Sequence, residues 1–311
     1  MKIRNYLHLF RWPNLVIITL SMILTQWFVV LPLLNIPFAM SLWQFLLLWF
    51  AVITITAAGY VINDYFDVDT DLVNKPGKNV VGHLISEKKA LNIYYLLSAL
   101  GIASGALLSW SVGRINFTLI FLFTAGILWY YSERYKCISL LGNITVSVLS
   151  AITFGLVWLY DFFALQYDPV LFSASQSGFG MVTKFVFIYM IFAFLSGIFR
   201  EIVKDVEDRD GDQKVGCTTF VVAYGIKKAK MLNLVTGFFL LGFLFWSQVF
   251  FYRLGFYYLF GYFIIMDLLL AFMLKKLHEA GDIVDFSNLS DLSKIFMLLG
   301  TLSMALIYFE V

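Results

Sequence analysis

Nine stretches of the chain are almost unbroken in apolar residues: 15–34, 42–63, 90–110, 115–132, 138–160, 182–201, 229–251, 254–275 and 292–309. Each is close to the length of about 17–25 residues that a helix needs to cross a bilayer. The pattern predicts an all-α, polytopic membrane protein of nine transmembrane helices, with polar residues kept to the connections. The first run is too long for the hydrophobic region of a signal peptide, and no small-residue cleavage site follows it. It is therefore expected to be a retained helix.

Composition agrees with the pattern. Of 311 residues, 61% are hydrophobic and 14% charged, with mean hydropathy +0.84. A soluble domain carries about 25% charged residues, so one transmembrane domain over 1–311 is expected, with no separate soluble unit. The net charge of +2 is uninformative, but its distribution is not. With alternating helices, the N-terminal segment and the connections after the second, fourth, sixth and eighth runs share one side. That side holds every Lys and Arg except Arg114, Lys184 and Arg253. The positive-inside rule makes it cytoplasmic, in the cell membrane, with the N-terminus inside and the C-terminus outside. No basic, aromatic-free stretch suggests nucleic-acid binding. Cys137 and Cys217 fall on the reducing side, where neither a disulfide nor a metal site is expected from them.

The chemistry concentrates where the second and sixth runs end. Asp64, Asp67 and Asp71 are spaced i, i+3, i+7, and the spacing returns at Asp205, Asp208 and Asp212. On a helix each set shares one face, and carboxylates so gathered repel one another unless a positive charge sits between them. Mg²⁺ takes oxygen ligands and is typically held by one or two carboxylates plus substrate phosphates. Asn63, four residues before Asp67, shares its face. The two sets thus suggest Mg²⁺ ions holding a polyanion at a membrane surface, while Asp69 and Asp210 leave the face and are expected to be solvated. The four-helix period between the sets suggests an internal duplication, helices one to four and five to eight, with a ninth added. The connections 64–89 and 202–228 are read as a catalytic cap, and 161–181 as a nearly uncharged external loop of packing or disorder.

Lys75 and Lys78 follow the first set, and Lys204, Arg209 and Lys214 surround the second. Lysines there suit a diphosphate as point charges, though positive-inside topology places them equally well. His8, His83 and His278 are interfacial and unclustered. Asp267, inside the eighth run, is expected either to face a cavity or to form an interhelical pair.

These residues resemble the UbiA-type intramembrane prenyltransferases. Asn63, Asp67 and Asp71 match that family's Asn-x-x-x-Asp-x-x-x-Asp motif, and Asp208 and Asp212, with Asp205 one turn earlier, match its second aspartate motif. Arg11-Trp12-Pro13-Asn14 is similar to the opening of its first helix. Tyr131-Ser132, Lys136 and Gly142-Asn143 are similar to its segment joining helices four and five. The resemblance covers residues 4–225. It implies nine helices around a central cavity open to the cytoplasm, and Mg²⁺-dependent ionisation of a polyprenyl diphosphate to an allyl cation that an acceptor attacks. Asn63, Asp67, Asp71, Asp208 and Asp212 would be its catalytic set. Asp64, Asp67, Asp71, Asp205, Asp208 and Asp212 would be metal ligands, with Lys75, Lys78, Tyr131, Lys136, Asn14 and Lys204 toward the diphosphate. The chain departs from the family at Lys75 and Lys78, where arginines are usual; lysine lacks arginine's bidentate fork. The nearest branch in flavour adds geranylgeranyl to geranylgeranylglyceryl phosphate, a lipid acceptor. An aromatic quinone precursor (4-hydroxybenzoate or dihydroxynaphthoate) is the first alternative acceptor, and chlorophyll- or haem-type acceptors stay open as well.

Two other classes compete. A CDP-alcohol phosphotransferase needs Ala-Arg after its Asp-Gly step, whereas Asp210-Gly211 is followed at that spacing by Lys214-Val215. A cation transporter places its sites near the bilayer midplane, whereas these carboxylates lie at helix ends.

Overall fold

A computed structural model describes residues 3–70 and 80–311. Among the described residues the regular structure is helical, with two isolated backbone bridges and no named strand. Among the described residues, nine helices are long and apolar enough to cross a membrane: α1 (Trp12–Leu34), α2 (Leu42–Phe66), α3 (Glu87–Ser111), α4 (Thr118–Glu133), α5 (Leu141–Leu165), α6 (Phe179–Lys214), α7 (Ile226–Leu254), α8 (Tyr257–Glu279) and α9 (Ile283–Leu302). The chain is a multi-pass membrane protein, as the apolar runs predict.

Local chemistry sets the ends that matter. Arg11 turns the chain into α1 with a left-handed φ of 47°, and proline occupies the first turn behind it. Ser41 and Gln44 form a capping box at the start of α2, each side chain accepting from the other's backbone N–H. That box satisfies N–H groups which the helix itself leaves orphaned. α2 stops at Asp67, which has left helical geometry (φ −93°, ψ 5°).

Two expectations need correction. Residues 202–214, read from sequence as part of a loop, continue α6 without a break to Lys214. No proline interrupts them, and Lys204 and Asp208 lie on the same side at i, i+4 spacing, 4.0 Å apart. The helix yields at Gly216, whose φ of 78° suits glycine and ends the run. The 161–181 segment is also ordered: α5 runs on to Leu165, and Pro169–Ser175 is a short helix. Its first turn is capped by the Asp168 carboxylate, which accepts from Val170 N (3.1 Å) and Leu171 N (3.0 Å).

Each motif-bearing helix is the hub of its half. α2 packs against α1, α3 and α4, whereas α6 packs against α5, α7 and α9. α6 carries Phe185, Tyr189, Phe199, Ile202 and Val203, all fully buried.

Two sets of polar contacts, one half-buried and one buried, fasten the helices away from the acidic ends. Asp267 on α8 accepts from Gln248 on α7, so of its two readings the interhelical pair is the one observed. Asp161, fully buried on α5, accepts from Gln26 Nε2 (3.0 Å) and Met40 N (2.9 Å). Gln26 lies in the π-helical turn Thr25–Val30 of α1. A buried carboxyl without partners would be costly, and here it ties α1, α5 and the 35–41 connection together.

Candidate active site

The start of α1, the ends of α2, α4 and α6 and the start of α5 contribute charged and polar side chains to one region. From α2, Asn63 Nδ2 donates to Asp67 Oδ2 (2.6 Å), which fixes one carboxylate oxygen. The other oxygen accepts from Lys136 Nζ at 2.5 Å. A carboxylate at a helix C-terminus faces the negative end of the dipole, so Asp67 depends on such cations. Asp64 accepts from Arg11 Nη2 at 3.0 Å. Burial alone would lower the Arg11 guanidinium, yet Asp64, Tyr60 and Asp67 hold it above its ordinary range. Its Cζ also lies 5.0 Å from the Tyr60 ring centroid. Asn14, expected near the diphosphate, donates to the Tyr60 hydroxyl (3.1 Å), so its contact supports the ring beneath Arg11.

Lys136 sits in a 3₁₀ turn, Tyr135–Cys137. That turn lies against the start of α5 at Gly142, where a Cβ would fall 2.8 Å from the Lys136 Cα and 3.0 Å from the Tyr135 carbonyl oxygen. Glycine is what lets the two backbones approach. Asn143, next along α5, donates to Asp205 Oδ2 at 2.9 Å.

On α6, Glu201, Asp205, Asp208 and Asp212 recur every three or four residues and share one face. Asp212 lies within electrostatic reach of Asp208 on its own helix, of Asp67 across the interface, and of Lys204 and Lys136. Carboxylates of the two aspartate motifs therefore act on one another across α2 and α6. Tyr131 of α4 stands among Glu201, Asp67, Asp205 and Arg11. Lys204 stands among Glu201, Asp208, Arg11 and Arg200. Asp71, Lys75 and Lys78 lie outside the described residues. Asp69, Asp210 and the three histidines are exposed, in keeping with solvated roles.

The cysteines correct an expectation. Cys137 and Cys217 are joined as a disulfide, with Cα atoms 4.5 Å apart. A backbone bridge between Ile138 and Thr218 sets these loops side by side, Thr218 N donating to Cys137 O at 2.8 Å. Cys217 N in turn donates to Asp212 O (2.9 Å). The pair thus joins the turn carrying Lys136 to the end of α6.

Sequence reasoning left Arg11, Tyr60, Arg200 and Glu201 out of the site. Glu201 had a legible signal: it continues the Asp205 and Asp208 face one turn backward. Arg200 had none, because its ion pair with Glu201 (2.5 Å) joins neighbours in sequence that share no helical face.

The fold is that of known proteins. A solved structure concerned with digeranylgeranylglyceryl phosphate synthase in membranes superposes with a TM-score of 0.65 at 24% identity, over 99% of each chain. A UbiA homologue from Archaeoglobus fulgidus, bound to DMAPP and Mg²⁺, gives 0.59 at 18% identity, over 97% of this chain and 99% of that one. In sequence, a digeranylgeranylglyceryl phosphate synthase of Methanosarcina mazei is 34% identical over 191 residues, 61% of this chain and 58% of that protein. One from Methanobrevibacter smithii is 30% identical over 222 residues, 71% of this chain and 70% of that protein. The first of these matches spans less than two thirds of its relative. A sequence model of the UbiA prenyltransferase family matches residues 25–290, both aspartate motifs included, and the chain belongs to that family.

Proposed function

We propose that this chain transfers a geranylgeranyl group from its diphosphate to the free glycerol hydroxyl of geranylgeranylglyceryl phosphate, forming an ether. The electrostatic coupling of Asp212 to Asp208 on its own helix and to Asp67 of α2, with Lys136 and Lys204 in the same field, carries the reading. The names of the curated relatives support the acceptor.

The residues present fit Mg²⁺. The donors are oxygens, and carboxylates face one another in a half-buried cluster. Among the described residues no three acidic, His or Cys side chains gather tightly enough to hold an ion unaided. That suits an ion completed by substrate phosphates and water. Asp67, Asp208 and Asp212, with Asp64, Asp71 and Asp205 as further ligands, would share Mg²⁺ ions with the substrate phosphates, and Asn63 fixes Asp67. Bound there, Mg²⁺ supplies Lewis-acid neutralisation of the diphosphate. Lys136 and Lys204 add point charges toward the leaving group, and Tyr131 presents its hydroxyl to the same space. The breaking C1–O bond leaves its electron pair on the diphosphate, and the acceptor oxygen closes on the allyl carbon.

The basic asymmetry supports a cell-membrane location with the cavity and site on the cytoplasmic side and the N-terminus inside. The hub positions of α2 and α6 support the duplication of helices one to four and five to eight. The deciding experiment is an assay of purified protein with Mg²⁺, labelled geranylgeranyl diphosphate and a panel of acceptors. Ether product from geranylgeranylglyceryl phosphate is expected; product only from an aromatic acceptor would replace this reading. Orientation is checked in a cysteine-free background with Lys88→Cys and Ser173→Cys, both at exposed positions. Labelling of the first from inside and the second from outside is expected, and labelling of both from one face refutes the topology.

A further inference from the structure

Ether formation has a requirement that the aspartate motifs do not meet. The attacking hydroxyl must lose a proton as its oxygen bonds to the prenyl carbon, and the motif carboxylates are committed to metal, to Lys136 or to Asn143. A base must stand on the membrane side of the diphosphate, where the allyl carbon and the acceptor meet. At about 1.5 Å per residue, Glu201 lies one turn, about 6 Å, before Asp205 and about 10 Å before Asp208 along α6, toward the membrane interior. It is on the same face as both. Its side chain is only 13% exposed, and Arg200 Nη1 holds Oε1 at 2.5 Å, which orients the carboxyl. Tyr131 of α4 and Lys204 of α6 lie within its field.

We infer that Glu201 is the catalytic base that takes the acceptor's proton, an assignment that rests on the ether-forming reading above. The acceptor oxygen donates a lone pair to C1 of the prenyl group, and the C1–O bond to diphosphate breaks with its pair leaving on the diphosphate. The O–H bond breaks, and its proton passes to Glu201 Oε2. Arg200 is a positioning residue in this step. It keeps the carboxyl turned toward the acceptor, and its charge compensates a carboxylate whose side chain is largely buried.

Glu201→Gln keeps size and hydrogen bonding but cannot take a proton. In the purified protein with Mg²⁺ we expect donor affinity, measured by calorimetry, to stay within twofold of wild type. Hydrolysis of the donor to prenyl alcohol should persist, while ether formation falls by about 10²–10⁴-fold, the range of a lost general base. Ether formation within threefold of wild type overturns the assignment. So does a parallel loss of donor binding, hydrolysis and ether formation, which marks a residue of the donor site. If the Gln variant does not fold, Glu201→Asp, one methylene shorter, should keep donor hydrolysis and lose ether formation at least tenfold; an unchanged ether rate overturns the assignment. Wild type is assayed alongside. No ether from wild type refutes the acceptor reading and this step with it, whereas ether from both wild type and Glu201→Gln refutes Glu201 alone.

Discussion

The two aspartate motifs share a spacing and are built differently. The first lies where a helix stops: Asp64 is in the last turn of α2, and Asp67 has already left it. Each of these carboxylates is held by a cation from a distant part of the chain, Asp64 by Arg11 and Asp67 by Lys136. The second lies inside an unbroken helix, where α6 itself aligns Glu201, Asp205, Asp208 and Asp212. Their cation Lys204 belongs to the same helix, and Asn143 of α5 adds a hydrogen bond to Asp205. Identical spacing in sequence thus gives one motif assembled by tertiary contacts and one laid out by helical periodicity. The assembled motif should be the more fragile to substitutions elsewhere, and the helical one the more tolerant.

The largest effects come from the carboxylates that converge. Asp67→Ala and Asp208→Ala should each reduce prenyl transfer by at least about 10²–10³-fold, the scale of losing a preorganised electrostatic group. Removal of metal with EDTA should do the same, with recovery on adding Mg²⁺. Product formation in folded, monodisperse protein is the measurement. If either variant keeps near wild-type turnover, that half does not take part, and the convergence seen in the structure is incidental.

Lys136 comes next and separates the two halves. Lys136→Ala removes the ion pair that secures Asp67 and a point charge toward diphosphate. A lost charge-assisted contact costs about 1.5–3 kcal/mol, so donor KM should rise by roughly tenfold or more. Lys204→Ala removes a cation from a face that α6 still holds in line, and its donor KM should rise less. Equal effects from the two substitutions would end the contrast between an assembled and a helical motif. Gly142→Ala probes the same support indirectly. Its Cβ would meet the Lys136 backbone, so donor KM should rise in the same direction although no charged group is touched.

The nine spans and both motifs were legible because apolar run length and i, i+3, i+7 spacing are local properties. The continuation of α6 through 202–214 was not. Its charged residues read as a loop, although the helix needs only one enclosed face to persist. The contacts between Arg11 and Asp64, Asn143 and Asp205, and Gln26 and Asp161 span from 53 to 135 residues. No periodicity reports such pairings, and they required the fold. Glu201 was legible in its spacing, but its meaning depended on Tyr131 and Arg200 standing beside it.

The smallest effect is expected at the cysteine pair, the one covalent tie between the assembled motif and the helical one. Cys137 follows Lys136, and Cys217 is bonded through its backbone to Asp212. A covalent staple at this place would be expected to govern both motifs. The backbone already does most of this: Thr218 donates to Cys137 O through both its N–H (2.8 Å) and its hydroxyl (3.1 Å). Gly142 presses α5 against the same turn from the other side. Replacing both cysteines by serine should therefore change donor KM by less than about threefold, because the hydrogen bonds that remain hold the loops in register, each contributing about 0.5–1.5 kcal/mol. Treating the wild type with dithiothreitol should give the same small change, and free thiols should appear only after that treatment. A tenfold or larger rise in donor KM from either would mean that the disulfide, rather than the bridge between Ile138 and Thr218, keeps Lys136 on Asp67 and the end of α6 in place.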